Sequence, residues 1–179
     1  MIILFGPSAS GKTEIGKLLM SKYGLKKIVT CTTRAPRINE VNDVDYHFYT
    51  KEEFEKLVKE NAFVETVSYN NNFYGSLKKE IADNKVVILE PNGVKKYLEL
   101  NNPSIVTFYT DCPKEVRKAR MEGRKDNPEN IIQRLTNDEK DFGKDVLPKS
   151  DYIIDTSTKS VEELTDEIYS LYTKKISSL

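Results

Sequence analysis

Short apolar runs alternate with helically spaced stretches along the 179 residues of the chain. Ile2-Ile3-Leu4-Phe5 is a continuous apolar run of strand length. Ile15, Leu18 and Leu19 then put an apolar stripe on a helix over about residues 11–22. Lys27–Thr30 is predicted as a second strand. Thr50, with Glu53 three residues on, forms a capping box that opens a helix through about Lys59. Phe63–Tyr69 and Asn72–Tyr74 are strand-like runs on either side of Asn70-Asn71, a turn signal. A short helix is expected over Leu77–Asp83, then a strand buried on both faces at Val86–Leu89. A helix over Gly93–Leu100 and a strand over Ile105–Tyr109 follow. Pro113 suits the first turn of a helix reaching about Glu122, and Pro128 opens another through about Asp141. Tyr152–Ile154 is the last strand and Val161–Lys174 a closing amphipathic helix.

This alternation implies an α/β fold with a mostly parallel sheet covered by helices. Residues 30–76 interrupt it, being polar and strand-rich, and are expected to be an inserted substrate-binding region. The length fits one domain with a real core. Charge is balanced, 28 basic against 28 acidic residues, which argues against a nucleic-acid coat or a membrane-surface protein. No apolar run approaches the ~20 residues a membrane span requires. Met1 leads directly into the first strand, leaving no room for a cleavable signal, so a cytoplasmic protein is expected. Cys31 and Cys112 have no metal-binding or redox spacing and suit reduced thiols. His47 is the only histidine, so neither histidine-based catalysis nor a histidine-ligated zinc is expected.

The chemistry is concentrated first in Gly6-Pro7-Ser8-Ala9-Ser10-Gly11-Lys12-Thr13, which matches G-x-x-x-x-G-K-[ST] between a strand and a helix. The glycines let successive backbone N–H groups turn inward around phosphate oxygens. Lys12 supplies a mobile cation, and the Thr13 hydroxyl is a ligand for Mg²⁺. The helix that starts here directs its positive end at the same anion. A P-loop NTPase three-layer fold follows.

A second basic loop, Thr32-Thr33-Arg34-Ala35-Pro36-Arg37, leads through Glu40 to Asp45-Tyr46-His47-Phe48. Two arginines stiffened by an intervening proline suit an anion with several oxygens, because each guanidinium is a planar fork of donors. Taken alone, the same stretch also suits a solvated basic turn.

In order and spacing, the P-loop, T-T-R-x-P-R, Glu40, D-Y-x-F and the later Tyr74-Gly75-Ser76 resemble the guanylate kinase family over about residues 1–80. The resemblance implies that Arg34, Arg37, Tyr46 and Tyr74 hold the phosphate of GMP, with Glu40 in the same site. It assigns the guanine base to Glu65 and Ser76, with Thr30 where the family often has a base-contacting serine. These residue types suit that base. One carboxylate can accept from the adjacent N1–H and N2 amino group of guanine, whereas adenine presents an acceptor at N1. Arg120-Met121-Glu122-Gly123-Arg124 resembles the family's lid segment and Gln133-Arg134-Leu135 its following helix. Arg120 is thereby assigned with residues 6–13 to ATP, and Lys12, Arg34, Arg124 and Arg134 to catalysis. Arg117 and Lys118 are expected on a solvated face.

The chain departs from the family pattern in four places. Asn39 and Asp43 stand where the family usually has glycine, and both types tolerate left-handed backbone. Leu89-Glu90-Pro91-Asn92-Gly93 replaces the family's L-D-x-D segment, leaving Glu90 to stand in for one aspartate as a metal ligand beside Thr13. The helix before it is about a turn short, and the loop Lys125–Pro128 lacks the usual G-T.

The expected organisation is a core of 1–29, 81–116 and 145–179, a nucleoside-monophosphate region of 30–80 and a helical lid of 117–144. The expected reaction is Mg²⁺-dependent phosphoryl transfer from ATP to GMP, and also to dGMP, by a monomer or homodimer with no nucleic-acid or membrane partner. Two alternatives stay open. One is a P-loop kinase for another monophosphate or small phosphorylated acceptor. The other is a non-catalytic interaction module of the same fold.

Overall fold

The computed structural model describes residues 1–143 and 146–179. β1 (Ile2–Phe5) is wholly buried and central in a parallel sheet. On one side it pairs with β7 (Lys85–Ile88), which pairs in turn with β2 (Lys26–Lys27). On the other side it pairs with β8 (Val106–Asp111), followed by β9 (Tyr152–Asp155). The order β2-β7-β1-β8-β9 places the end of β1 where the chain crosses from one half of the sheet to the other, which is where ligand crevices form in open α/β sheets.

Because successive strand residues point to opposite faces, β1 serves two cores. Ile2 and Leu4 pack with Ile15 and Leu19 of α1 (Lys12–Tyr23) and with Leu164, Ile168 and Tyr172 of α6 (Val161–Ser177). Met1, Ile3 and Phe5 pack on the other face with Val94 and Tyr97 of α3 (Pro91–Leu98). This is the three-layer arrangement expected of the motif.

The inserted region builds its own sheet. Its order is β4 (His47–Phe48), β3 (Cys31–Thr32), β6 (Asn72–Leu77) and β5 (Phe63–Tyr69). Helix α2 (Lys51–Lys59) opens with the expected capping box, Thr50 accepting from the Glu53 N–H and Glu53 from the Thr50 N–H. Phe54 stacks on Phe63 at 4.5 Å and on Phe73 at 5.6 Å between ring centroids. The β5–β6 turn holds Asn70 at φ 47° and Asn71 at φ 60°, as a tight hairpin requires. Gly75 has no room for a side chain, since a Cβ there would lie 2.7 Å from the Phe63 ring.

Helices α4 (Lys114–Gly123) and α5 (Pro128–Asp141) pack through Met121, Ile131 and Leu135, with Ala9 of the phosphate loop against the cluster. Asn127 caps α5 by accepting from the Glu129 N–H, so Pro128 opens the helix as expected.

Four expectations need correction. Lys27–Thr30 is not one strand, because the chain leaves the first sheet after Lys27 and joins the second at Cys31. Between them the Val29 N–H donates to Glu80 instead of to a strand. Leu77–Asp83 forms only a single 3₁₀ turn, Lys78–Glu80, as Leu77 still belongs to β6 and Glu80 is held by Val29, Lys85 and His47. β7 is hydrogen-bonded on both edges, yet Ile88 is 40% exposed because that end opens onto a cleft. Pro113 is the residue that caps α4 from outside, with the helix starting at Lys114. The expected lid–core boundary at 144/145 lies outside the described residues.

Candidate active site

The phosphate loop turns on positive-φ backbone at three positions. Gly6 has φ 152°, Ala9 φ 59° and Gly11 φ 96°. A Cβ on Gly6 would lie 2.3 Å from the Thr110 hydroxyl, so the loop rests directly on β8. Thr110 Oγ1 donates to the Phe5 carbonyl at 3.2 Å, and Ser10 Oγ lies 2.7 Å from it. The Lys12 ammonium is folded into the loop, donating to the carbonyls of Gly6 at 2.6 Å and Pro7 at 2.8 Å. Burial lowers its pKa, partly offset by the charges of Glu90 and Asp138.

Two clefts open from this loop. One, of about 350 Å³, is bounded by Ala9–Ile15, Arg120, Arg124, Thr156 and Lys159. Arg120 is already fixed there, donating to the carbonyls of Ala9 at 3.2 Å and Thr156 at 2.5 Å. The other, of about 460 Å³, runs from Thr13 past Met20 and β7 to Thr30, Glu65 and Ser76. Thr13, which is exposed, lines both. Glu65 and Ser76 are cross-strand neighbours on β5 and β6, with Ser76 Oγ 3.4 Å from Glu65 Oε1. Burial raises the pKa of Glu65, an effect that Ser76 partly offsets.

The arginine loop is organised by Glu40. Its carboxylate accepts from the Arg34 guanidinium at 2.8 Å and from the Arg37 N–H at 2.7 Å, which together hold its pKa below the ordinary carboxylate value. The Arg34 guanidinium lies 5.5 Å from the centre of the Tyr46 ring, and Tyr46 meets Tyr74 edge-on at 6.3 Å. Asn39 at φ 73° and Asp43 at φ 63° adopt the left-handed backbone that their side chains tolerate. His47 is structural, its ring joining Asp43 at 2.6 Å to Glu80 at 3.3 Å.

The structure therefore brings together residues 6–13 with Arg120 and Arg124, and separately Thr30, Glu65 and Ser76. Arg34, Arg37, Glu40, Tyr46 and Tyr74 form a third group. Arg134 does not reach either cleft lining; it points with Arg124 to Asp126, at 3.4 and 2.8 Å. Glu90 is exposed just before α3, and no group of three His, Cys, Asp or Glu among the described residues is placed to hold a metal.

Arg117 overturns its expected place on a solvated face. It is 6% exposed and donates to Asp138 at 2.6 Å and to the Cys112 carbonyl at 3.1 Å. Asp138, also buried, accepts from the N–H of Ser8 at 3.1 Å and from its hydroxyl at 3.1 Å. The pair thus clamps the crest of the phosphate loop to α4 and α5. One signal for Asp138 was present: with Ile131 and Leu135 it occupies i, i+4 and i+7, the apolar face of its helix.

Comparisons with known proteins bear on this geometry. A family model described as guanylate kinase matches residues 1–172. Fusobacterium nucleatum has a guanylate kinase 33% identical over 150 residues, covering 79% of this chain and 80% of that protein. One from Mycoplasmoides gallisepticum is 35% identical over 173 residues, covering 92% and 89%. Aster yellows witches'-broom phytoplasma has one 36% identical over 164 residues, covering 86% and 77%. The crystal structure of guanylate kinase from Anaplasma phagocytophilum superposes with a TM-score of 0.58 at 22% identity, over 98% of this chain and 85% of that one, a likeness of fold.

Removing one member of the buried pair leaves the other charge without a partner. Asp138→Ala is expected to lower stability by about 3–5 kcal/mol, and Arg117→Leu with Asp138→Ala together by clearly less than Asp138→Ala alone. Urea denaturation measures both; an Asp138→Ala cost of about 1 kcal/mol or less would show that the clamp is slack.

Proposed function

The chain belongs to the guanylate kinase family, and from that premise we propose that its two clefts hold ATP and GMP with their phosphates meeting at Thr13. The reaction is phosphoryl transfer from ATP to GMP, giving ADP and GDP. The observation that carries the assignment of sites is that Thr13 lines both clefts, one edged by Arg120 and Arg124 and the other ending at Glu65 and Ser76.

The acceptor oxygen is already anionic, so no general base is needed, and catalysis rests on position and charge. Lys12 and the N–H groups of residues 6–13 hold the ATP phosphates. Arg34, Arg37, Tyr46 and Tyr74 hold the GMP phosphate, with Glu40 setting the pose of both arginines. Thr30, Glu65 and Ser76 read the base. Within the expected lid of 117–144, Arg117 and Asp138 stay clamped to the phosphate loop, while the turn between α4 and α5 closes over the ATP phosphates and lets Arg124 and Arg134 exchange Asp126 for phosphate oxygens. Thr13, with Glu90 near enough for its charge to act on Lys12, would hold a Mg²⁺ ion that would take its remaining ligands from phosphates and water. When bound, that ion would neutralise charge between the two nucleotides. dGMP is proposed as a second acceptor.

Release of ADP in a coupled assay with GMP, dGMP, AMP, CMP and UMP tests the assignment. GMP and dGMP should turn over, and the other three should be at least ~100-fold poorer in kcat/KM. Lys12→Ala should abolish turnover. Preference for another monophosphate, or near-normal activity of Lys12→Ala, would contradict the proposal.

Glu65 adds a pH dependence. Its ionised form accepts from the base, and burial raises its pKa, so kcat/KM for GMP should fall on acidification above the usual carboxylate range. The buried carboxylate opposes folding at neutral pH, and this cost is relieved as pH falls through the raised folded-state value. Glu65→Gln should remove this acid limb and leave only the titration of the GMP phosphate. An unchanged pH profile in Glu65→Gln would exclude the role.

A further inference from the structure

Among the described residues the chain passes between the two sheets twice, from Lys27 to Cys31 and from Leu77 to Lys85. Glu80 lies on the second crossing. One of its carboxylate oxygens accepts from the Val29 N–H of the first crossing at 3.2 Å and from the Lys85 ammonium, at the start of β7, at 2.8 Å. The other lies 3.3 Å from the His47 ring of β4. One side chain thus ties together both crossings, the central sheet and the sheet of the inserted region. It is 12% exposed. Burial opposes its charge, but Lys85, the Val29 N–H and His47 together hold its pKa below the ordinary carboxylate value.

The residues it holds are neighbours of groups assigned above to GMP. Val29 precedes Thr30, and the His47 N–H donates to the Thr30 carbonyl at 2.9 Å. His47 follows Tyr46, and its Nδ1 lies 2.6 Å from Asp43, whose N–H donates to the Tyr46 carbonyl at 2.8 Å. Lys85 opens the strand that runs parallel to β1 and ends at Ile88 in the cleft. Glu80 itself bounds neither cleft. Ile28 and Ile81, on the same two crossings, pack in the core with β1 and keep the sheets together. Such apolar contact is non-directional, whereas a carboxylate holds its donors from set directions.

We propose that Glu80 is a positioning residue, the pin that fixes the angle between the two sheets and so holds the GMP phosphate in line with the phosphate loop. This rests on the reading of residues 30–80 as the GMP-binding region. Phosphoryl transfer needs donor and acceptor in line at near contact, and a displacement of about 1 Å costs on the order of a hundredfold in rate. Glu80→Gln keeps an oxygen for the Val29 N–H and gives up the charge that holds Lys85. Glu80→Ala gives up all three contacts.

The test pairs kinetics with distance. Spin labels attached through Glu55→Cys on α2 and Ser170→Cys on α6, both exposed positions, report the separation of the two regions by pulsed electron resonance. Cys31 and Cys112 are buried, so the labels go to the new thiols. kcat/KM for GMP should fall about tenfold in Glu80→Gln and about a hundredfold in Glu80→Ala, with the calorimetric affinity for ATP unchanged. The distance distribution should broaden in the same order. Glu80→Gln keeps the test decisive should Glu80→Ala fail to fold. An unchanged distribution in Glu80→Gln, or an ATP affinity that falls along with the GMP kinetics, overturns the pin. A parent chain that turns over no GMP overturns the assignment of function instead, and the distance distributions then decide the pin alone.

Discussion

Where β1 ends at Phe5, the backbone presses against Thr110 of β8 so closely that only glycine fits at position 6. The threonine hydroxyl ties back to the Phe5 carbonyl and across to Ser10, which fixes both ends of the phosphate loop's first turn. Everything else in the site is referred to this contact. It sets where Lys12 and Thr13 start α1, where Ala9 meets Met121, Ile131 and Leu135, and where Ser8 is met by Asp138. The positive-φ backbone at Gly6, Ala9 and Gly11, strained at Ala9, is held by a wholly buried strand and a buried ion pair, so the loop is shaped before any nucleotide arrives.

A second constraint is charge. Several arginines around the phosphate loop and in the acceptor region are balanced by carboxylates of the chain itself: Arg34 by Glu40, Arg117 by Asp138, and Arg124 with Arg134 by Asp126. These pairs differ in burial, and that difference sorts their roles. The Arg117–Asp138 pair is inaccessible and holds the scaffold. The Asp126 pairs involve half-exposed arginines, which cost little to exchange for phosphate. Arg34–Glu40 lies between, poised against Tyr46 and Tyr74. The even balance of 28 basic and 28 acidic residues is thus repeated locally, with arginines paired to the chain's own carboxylates.

What was legible in the sequence was local. The β1–loop–α1 unit, the Thr50–Glu53 capping box, the Asn70-Asn71 turn and the Pro128 helix start all follow from contacts within a few residues. What was lost depended on partners far along the chain. Glu80 interrupts the expected 77–83 helix because it serves Val29 and His47, 51 and 33 residues away. Arg117 looked like one more surface cation, since its carboxylate lies on another helix. The split of residues 27–30 between two sheets was hidden for the same reason. At the candidate site, the motifs named the groups proposed to approach phosphate, but not the Asp138 clamp or the orphaned Tyr97 hydroxyl on α3.

We propose that the two nucleotides lie end to end across Thr13. Calorimetric titration with adenosine and guanosine joined 5′ to 5′ through five phosphates tests it most directly. One molecule should bind per chain, displace both ATP and GMP, and bind far more tightly than the bis-adenosine compound. Binding of two molecules per chain, or displacement of ATP alone, would contradict it.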